Sequence, residues 1–331
     1  METLYVAYGL ALRSSFRLPG MQATDAEGLP LLELELVTVP ELEQAWSGAA
    51  EAPVWRGRLG DGGELSIERG VAGDLLFTDG ERARHRFDPS ASSLLCAPRL
   101  EGLGWQRTLV TKVLSSISVM CGYEALHASA VDSPHGAVAI AAPTGMGKTT
   151  LALELMRRGW PLLSDDVLAL AATQEGVLAY PGTPHMNVAL DTAEQLAPED
   201  LAPTLGVLSG ERWVAVRDVA REPRRVHAVC LLERRRGLSL DVQVLTPSPL
   251  PLAPYMLGLS GEPRRERGRF GLYADLIGSV AQLRLTCDES APPEALADVL
   301  QRGLAERSAA VGERAAAPVD RPVALAAEAV R

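Results

Sequence analysis

The stretch AAPTGMGKTT has the residue types and spacing that bind phosphate groups. From residue 142 to 149 it matches G-x-x-x-x-G-K-[ST], with Ala142 in place of the first glycine. Glycines in such a loop let backbone N–H groups curl around phosphate oxygens, Lys148 neutralises the outer phosphates, and the Thr149 hydroxyl can bind Mg²⁺. The alternative is an ordinary glycine-rich turn. The residues predicted to contact a nucleotide are Ala142, Pro143, Thr144, Gly145, Met146, Gly147, Lys148, Thr149 and Thr150.

The segments on either side of this loop favour the nucleotide-binding interpretation. AVAIAA before the loop is an apolar strand, and TTLALELMRRG after it is an amphipathic helix that ends at Gly159. Strand, loop and helix in this order are required because the helix N-terminus completes the anion site.

A pair of aspartates, Asp165 and Asp166, follows at the centre of WPLLSDDVLAL. Two carboxylates within an apolar strand are costly to bury unless they have a cation or hydrogen-bond partners. Consecutive strand residues face opposite sides, so only one of them points straight at the phosphate loop unless a bulge intervenes. One carboxylate can hold Mg²⁺ while the other takes the proton from an attacking hydroxyl. The alternative is a turn at a strand end with two solvated aspartates.

His127 is the third candidate for the site. If SPHG, residues 133 to 136, forms a four-residue hairpin turn, counting back pairs Asp132 with Ala137 and His127 with Ala142, at the mouth of the phosphate loop. From there a histidine can contact phosphate or orient the catalytic carboxylate. A histidine that is simply packed within a strand is the other interpretation.

Composition limits the class of protein. The chain has 331 residues, 47% of them hydrophobic, and a formal charge of −10, which opposes binding to nucleic acid. Its four cysteines form no Cys-x-x-Cys pair, and no apolar stretch approaches the length of a membrane-spanning helix. We therefore expect a soluble, cytoplasmic protein without nucleic-acid or membrane partners. Of the 32 basic residues only Lys112 and Lys148 are lysines.

The elements that position these residues follow from the patterning of the rest of the chain. Residues 1–100 contain short segments typical of an antiparallel meander, such as LALRSSF, LELELVTV and ELSIER, and predict a small β-rich region. A helix is predicted over 105–122, closing on Gly122. Residues 101–307 are predicted to form the α/β nucleotide-binding domain, and 308–331 an Ala- and Pro-rich mobile tail.

The segment LHASAVDSPHGAVAIAAPTGMGKTTLALELMRRGWPLLSDDVLAL resembles the core of the HPr kinase/phosphorylase family. Members of that family show a His-containing strand, a phosphate loop, a Thr-Ala-Leu-Glu-Leu type of helix, an Arg-Gly stop and an Asp pair in this order. The resemblance implies a P-loop kinase core similar to the phosphoenolpyruvate carboxykinase type, with ATP and Mg²⁺ as cofactors. It also implies an oligomer, acid–base and metal roles for Asp165 and Asp166, and a position beside the phosphates for His127.

Looser likenesses elsewhere, such as YPGTPHMNVALDTAEQLA, resemble the HPr kinase-like proteins of bacterial peptide and natural-product pathways. The Glu-Val-Arg-Gly-Leu-Gly-like segment that the family associates with phosphorolysis and HPr handling is missing downstream of the Asp pair. Thr150 also stands where the bifunctional enzymes tend to have Glu. The resemblance therefore does not extend to phosphorylase activity or to HPr as the substrate.

Basic residues downstream of the Asp pair are candidates for binding the acceptor. Arg212 and a cluster that includes Arg264 and Arg265, in a loop interrupted by Pro and Gly, can hold an acidic group through bidentate hydrogen bonds, or can simply be solvated. The N-terminal strands can add an extended peptide by edge pairing. The prediction is a kinase of a serine-type hydroxyl on a peptide or small protein. A kinase of a free hydroxy amino acid and a non-catalytic nucleotide-binding regulator remain alternatives.

Overall fold

The computed structural model describes residues 2–50, 53–59, 63–174, 176–196, 202–257 and 263–311; the side chains of 195–196, 263–268 and 307–311 are outside that description. The strands are β1 Thr3–Ala7, β2 Leu10–Ser14, β3 Leu31–Leu36, β4 Trp55–Arg58, β5 Glu64–Arg69, β6 Leu75–Asp79, β7 Ala83–Asp88, β8 Ser93–Pro98, β9 Glu124–Leu126, β10 Ala128–Ser133, β11 Gly136–Ala141, β12 Leu162–Ser164, β13 Leu168–Thr173, β14 Gly176–Tyr180, β15 His185–Ala189, β16 Thr204–Leu208, β17 Glu211–Ala215, β18 Arg224–Arg234, β19 Asp241–Val244, β20 Met256–Leu257 and β21 Ala281–Cys287. The α-helices are α1 Val39–Ala45, α2 Gly104–Thr108, α3 Leu114–Met120, α4 Lys148–Arg157, α5 Leu190–Leu196, α6 Pro263–Ser279 and α7 Pro293–Val311. The predicted α/β class is confirmed.

The first sheet has the strand order β1-β2-β3-β8-β7-β6-β5-β4. From β4 to β8 the neighbours are antiparallel, as the meander prediction requires. The prediction is wrong for β3, which pairs in parallel with both β2 and β8. Parallel pairing needs a crossover connection, and residues 15–30 between β2 and β3 are long enough to supply one.

The second sheet carries the phosphate loop. Its path is β12-β10-β11-β18-β14-β13-β9-β20, and β21 lies beside β18 with β19 outside it. Strands β11, β18 and β21 run parallel, and every residue of β11 is buried. Helices α4 and α7 cover one face of this parallel region and α6 covers the other, which is the arrangement that parallel strands need to bury both faces. A third, smaller sheet has the order β15-β17-β16.

The predicted helix over 105–122 is confirmed as α2 and α3, which span residues 104–120, with a π-helical turn, Leu109–Val113, between them. Two other expectations are wrong. Residues 263–279 form helix α6 rather than a loop, and helix α7 continues past residue 307 to Val311. Residues 312–331 of the predicted tail lie outside the described residues, and the proposed domain boundaries stay a prediction.

A hydrophobic cluster joins the first sheet to the rest of the chain. It contains side chains of the first sheet, such as Phe77 and Leu94, together with Leu109 and Leu114 of the helical segment and Trp213 of β17. The β1–β2 turn is also tied down by hydrogen bonds: Tyr8 N–H donates to Pro181 O at 2.6 Å, and Ser118 Oγ donates to Tyr8 O at 2.6 Å. No helix within the described ranges is both long and apolar enough to cross a membrane.

Candidate functional site

A cavity of 730 Å³ lies where the phosphate loop, the Asp pair and the helical segment 104–120 meet. The predicted nucleotide contacts that line it are Thr144, Gly145, Gly147, Lys148, Thr149 and Thr150. Ala142, Pro143 and Met146 do not line it. Ala142 is instead fully buried in the hydrophobic cluster beneath the loop, so an apolar methyl group fits where the pattern usually has glycine.

The loop has the backbone geometry of an anion site. Gly145 and Gly147 have φ values of 82° and 93°, in the left-handed region that glycine adopts without steric cost, and α4 begins directly after them at Lys148. The Lys148 ammonium donates to the carbonyl oxygen of Ala142 at 2.9 Å. Burial lowers the pKa of Lys148, and the neighbouring carboxylates of Asp165 and Asp166 oppose that shift. The loop therefore brings two glycines, one cation and the start of a helix to the wall of the cavity, an arrangement that suits an anion.

Helix α4 is fixed to the protein body at its far end. Arg158, just past the helix, donates to the buried carboxylate of Glu154 at 2.9 Å and to Asp298 of α7 at 2.7 Å. A further bond reaches the Glu294 carbonyl at 2.8 Å. The predicted stop at Gly159 is confirmed, with φ at 85°. These bonds orient the helix whose first residues form the loop.

Both aspartates line the same cavity. The expectation that they lie within a strand is wrong, because β12 ends at Ser164 and β13 begins at Leu168. Asp166 has a left-handed backbone, φ 68°, which breaks the alternation of strand side chains, and aspartate is one of the residues that tolerates this conformation. Asp165 is 8% exposed, so a turn with two solvated aspartates does not describe the pair either.

Asp165 is bound to the phosphate loop. Its carboxylate accepts hydrogen bonds from Ser129 Oγ at 2.5 Å and from Thr149 Oγ1 at 3.1 Å. Burial raises the pKa of Asp165 to about 6, against the opposing effect of the Ser129 hydrogen bond, and the charge of Asp166 adds to the rise. A hydroxyl and a carboxylate thus lie side by side at the start of α4, a donor set of hard oxygen atoms.

Asp166 has different neighbours, a lysine and a histidine. Its carboxylate forms an ion pair with Lys112, and His127 Nδ1 lies 3.3 Å from Asp166 Oδ1. Burial alone would raise the pKa of Asp166, but the Lys112 ammonium and the His127 ring more than offset it, so the pKa lies well below its usual range. Asp166 is therefore held ionised.

Strand register brings His127 and Ser129 to the pair. The predicted pairing of Asp132 with Ala137 is confirmed, and the ladder ends at Ala128 and Ala141, one pair before His127. On its other side the β9–β10 segment pairs with β12 and β13. Leu126 pairs with Leu168 and Ala130 pairs with Ser164, and these two antiparallel pairs share one register. The same register places Ser129 opposite Asp165, across the gap where the two ladders separate.

Three residues of the site are not predicted from the sequence motifs. Lys112 lies on the π-helical turn, a feature often found at functional sites, and its being one of only two lysines was the available signal. Ser129 carried no signal, since a serine in a strand is unremarkable. Arg234 lines the cavity as the last residue of β18, although it reads as part of a turn before Gly237.

One of the predicted acceptor-binding arginines, Arg212, is not brought to the cavity. Arg212 lies in β17 paired with Val188 and is not among the lining residues, whereas its neighbour Glu211 is. Neighbours in a strand face opposite sides, which is the physical reason. Arg264 and Arg265 fall in α6, and their side chains lie outside the described residues. Arg58 and Arg107 line the cavity instead.

The chain is similar to a known protein in sequence and to a solved structure. No protein-family model matches the chain. An HPr kinase/phosphorylase of Chloroherpeton thalassium is 28% identical over 121 residues, which are 37% of this chain and 33% of that protein's length. The structure of the Hpr(Ser) kinase/phosphatase from Coxiella burnetii aligns with a TM-score of 0.32 and 13% identity, over 56% of this chain and 98% of that one. The similarity to the Chloroherpeton protein confirms the resemblance to HPr kinase/phosphorylases that the motifs carry.

Proposed function

We propose that this protein is an ATP- and Mg²⁺-dependent kinase that phosphorylates a serine-type hydroxyl of a peptide or small protein. The observation that supports it most is the meeting of the phosphate loop, the Thr149–Asp165 pair and Asp166 in one cavity. The named relative supports the phosphotransferase class, and the present chain spans about a third of its length.

The residues present fit a bound Mg²⁺ ion. Mg²⁺ is usually held by one or two carboxylates together with substrate phosphates rather than by a cage made only of protein groups. In keeping with this, no group of three or more His, Cys, Asp or Glu side chains in the described ranges is arranged to hold a metal by itself. Thr149 and Asp165 would hold the ion beside the loop. When bound, it would neutralise charge on the transferring phosphoryl group.

Asp166 is our candidate for the residue that accepts the proton. The acceptor hydroxyl oxygen forms a bond to the γ-phosphorus, the bond to the ADP oxygen breaks, and the hydroxyl proton passes to a carboxylate. Asp165 is engaged by Thr149 and Ser129 beside the loop, whereas Asp166 faces the part of the cavity lined by the helical segment. Lys112 and His127 position this carboxylate.

An extended acceptor is favoured by the place of β4. This strand is at the edge of the first sheet, and Trp55 and Arg58 at its two ends line the same cavity as the Asp pair. The open edge of a strand can bind a peptide backbone by adding it as a further strand. A free amino acid has no extended backbone to pair with this edge.

The test is mass spectrometry after incubation with ATP, Mg²⁺ and two acceptor pools, serine-containing peptides and free hydroxy amino acids. We expect one phosphoryl group on a peptide, and none in a parallel reaction with Lys148→Ala. Product only in the amino-acid pool would move the protein to the small-molecule kinases. Tight ATP binding without product in either pool would favour a nucleotide-binding regulator and contradict the proposal.

A further inference from the structure

The end of strand β18 lies beside the phosphate loop. Strands β11 and β18 are parallel neighbours, and the register pairs Ala141, the last residue of β11, with Leu231. The carboxyl ends of both strands therefore open on the same edge of the sheet, where ligands of such sheets bind. β11 continues into the loop, and β18 continues to Arg234.

The Arg234 guanidinium lies against the last glycine of the loop. A Cβ atom at Gly147 would be only 3.1 Å from Arg234 Nη1. Gly147 is also the N-cap residue of α4, directly before its first residue, so the guanidinium lies at the helix N-terminus that attracts anions. Arg234 and Lys148 thus give this end of the cavity two cations.

The hydrogen bonds of Arg234 within the protein do not involve all of its N–H groups. Nη2 donates to the Ala291 carbonyl at 2.5 Å, which anchors the side chain from the β21–α7 connection. Nε is buried and has no hydrogen-bond partner in the part of the chain that the structure describes. The Cys287 thiol interacts with the Arg234 side chain, and the nearby Asp288 carboxylate accepts hydrogen bonds from Ser290 Oγ and Gly237 N–H. A buried donor without a partner is costly unless a ligand supplies an acceptor.

We infer that Arg234 binds a phosphate group of the nucleotide held in the loop, as a second cation beside Lys148. This inference rests on the proposed nucleotide binding and adds to it a residue outside the loop motif. A guanidinium suits the role because its planar set of N–H donors matches phosphate oxygens. Anchoring at Ala291 means that little side-chain freedom is lost on binding.

The experiment is calorimetric titration of the full chain with ADP and with inorganic pyrophosphate, which has phosphates but no base or ribose. We expect Arg234→Met to weaken both ligands by the same factor, roughly 10- to 100-fold for the loss of a charge-assisted hydrogen bond. Arg234→Lys keeps the charge and should be intermediate. The matched control is Arg235→Met, since the Arg235 side chain is 68% exposed and pairs with Glu233. Its affinities should equal those of the wild type.

The possible results separate the two proposals. Suppose that the wild-type protein binds ADP and pyrophosphate and that Arg234→Met binds each of them as tightly as the wild type does. The inference about Arg234 is then overturned and the proposed function stands. If Arg234→Met weakens ADP alone, Arg234 contacts the base or ribose, and the phosphate assignment is wrong. If the wild type binds neither ligand, the proposed function fails with the inference. Arg234→Lys supplies the comparison should the Met variant not fold.

Discussion

The hydroxyl oxygen of Thr149 lies 3.1 Å from a carboxylate oxygen of Asp165. One of these residues belongs to the phosphate loop and the other to the connection between β12 and β13, so the contact joins two parts of the site that are distant in sequence. It also separates the roles of two adjacent aspartates, because Asp166 makes its contacts with Lys112 and His127.

Asp165→Asn should remove the effect of Mg²⁺ on nucleotide binding. An amide is a weaker metal ligand than a carboxylate, so we expect ADP to bind the variant with the same affinity with and without Mg²⁺, and phosphoryl transfer to fall by roughly 10²-fold or more. Calorimetry in Mg²⁺ and in EDTA measures the first effect. The control is Asp191→Asn, another carboxylate of the cavity wall. An unchanged Mg²⁺ response in Asp165→Asn would place the metal elsewhere.

Lys112→Met should lower kcat without weakening ADP binding. The variant leaves the Asp166 carboxylate without its closest cation, so the carboxylate loses the partner that fixes its position. We expect a fall in kcat of roughly 10- to 100-fold, less than the roughly 10²- to 10⁴-fold that acid–base catalysis itself contributes, because the Asp166 carboxylate is still present. Lys112→Arg should restore part of it.

Ser116→Ala, on the same helical segment and at the same cavity, is the comparison for Lys112→Met. It should leave kcat unchanged. Wild-type turnover in Lys112→Met would mean that the ion pair with Asp166 has no part in catalysis. A large rise in the Kd for ADP would assign Lys112 to nucleotide binding instead.

Mild acid should destabilise the fold through His85. This ring is fully buried beside Trp105, and burial lowers its pKa to about 3. The unfolded chain takes up a proton near pH 6.5 while the folded chain does not, so stability is fully present above pH 6.5 and falls as the pH drops towards 3. At pH 5 the loss is about 2 kcal/mol.

Urea unfolding at pH 7 and pH 5 checks this value. His85→Leu should reduce the difference between the two pH values by about the same amount. Burial also lowers the pKa of His185, to about 4, so His185 contributes to the pH dependence of stability that remains in His85→Leu. If His85→Leu retains the full pH dependence, protonation of the buried ring is not its source.

Arg158→Met should lower the free energy of unfolding by about 1 to 3 kcal/mol, because it leaves the buried Glu154 with one basic partner and releases α4 from α7. Denaturant unfolding measures the change. Arg302→Met, at an exposed position of α7, should be within about 0.5 kcal/mol of the wild type. Equal stability of the two variants would show that the hydrogen bonds of Arg158 do not hold the helix.

The parts of the site that the sequence predicts are those encoded locally. The phosphate loop, its strand and its helix are contiguous, and the hairpin count brought His127 close to the loop because a tight turn fixes register. Arg234 and Lys112 reach the cavity only through tertiary structure: the first through the parallel pairing of β18 with β11, the second through the packing of the helical segment. In both cases the contacts that position the residue are made with segments far from it in the sequence.

In the fold, too, the sequence predicts features that are encoded locally and does not predict contacts between distant segments. Strand alternation predicted the antiparallel neighbours from β4 to β8, but the insertion of β3 between β2 and β8 depends on contacts between segments far apart in the chain. The arginine-rich stretch 263–279 contains Pro and Gly, which favour a loop, yet it forms α6 because Leu272 and Leu276 pack under the second sheet. Tertiary packing overrides local propensity there.

The hydrophobic cluster that joins the first sheet to the helical segment has a consequence for how the chain folds. Because Phe77 and Leu94 pack in the same cluster as Leu109 and Leu114, a fragment cut near residue 100 would expose apolar surface on both pieces. The turn at Tyr8 would also lose its bonds to Ser118 and Pro181. The two regions therefore share one hydrophobic cluster: damage to its first-sheet side, at Phe77 or Leu94, should reach the phosphate loop as a loss of folded protein rather than as a change in its chemistry.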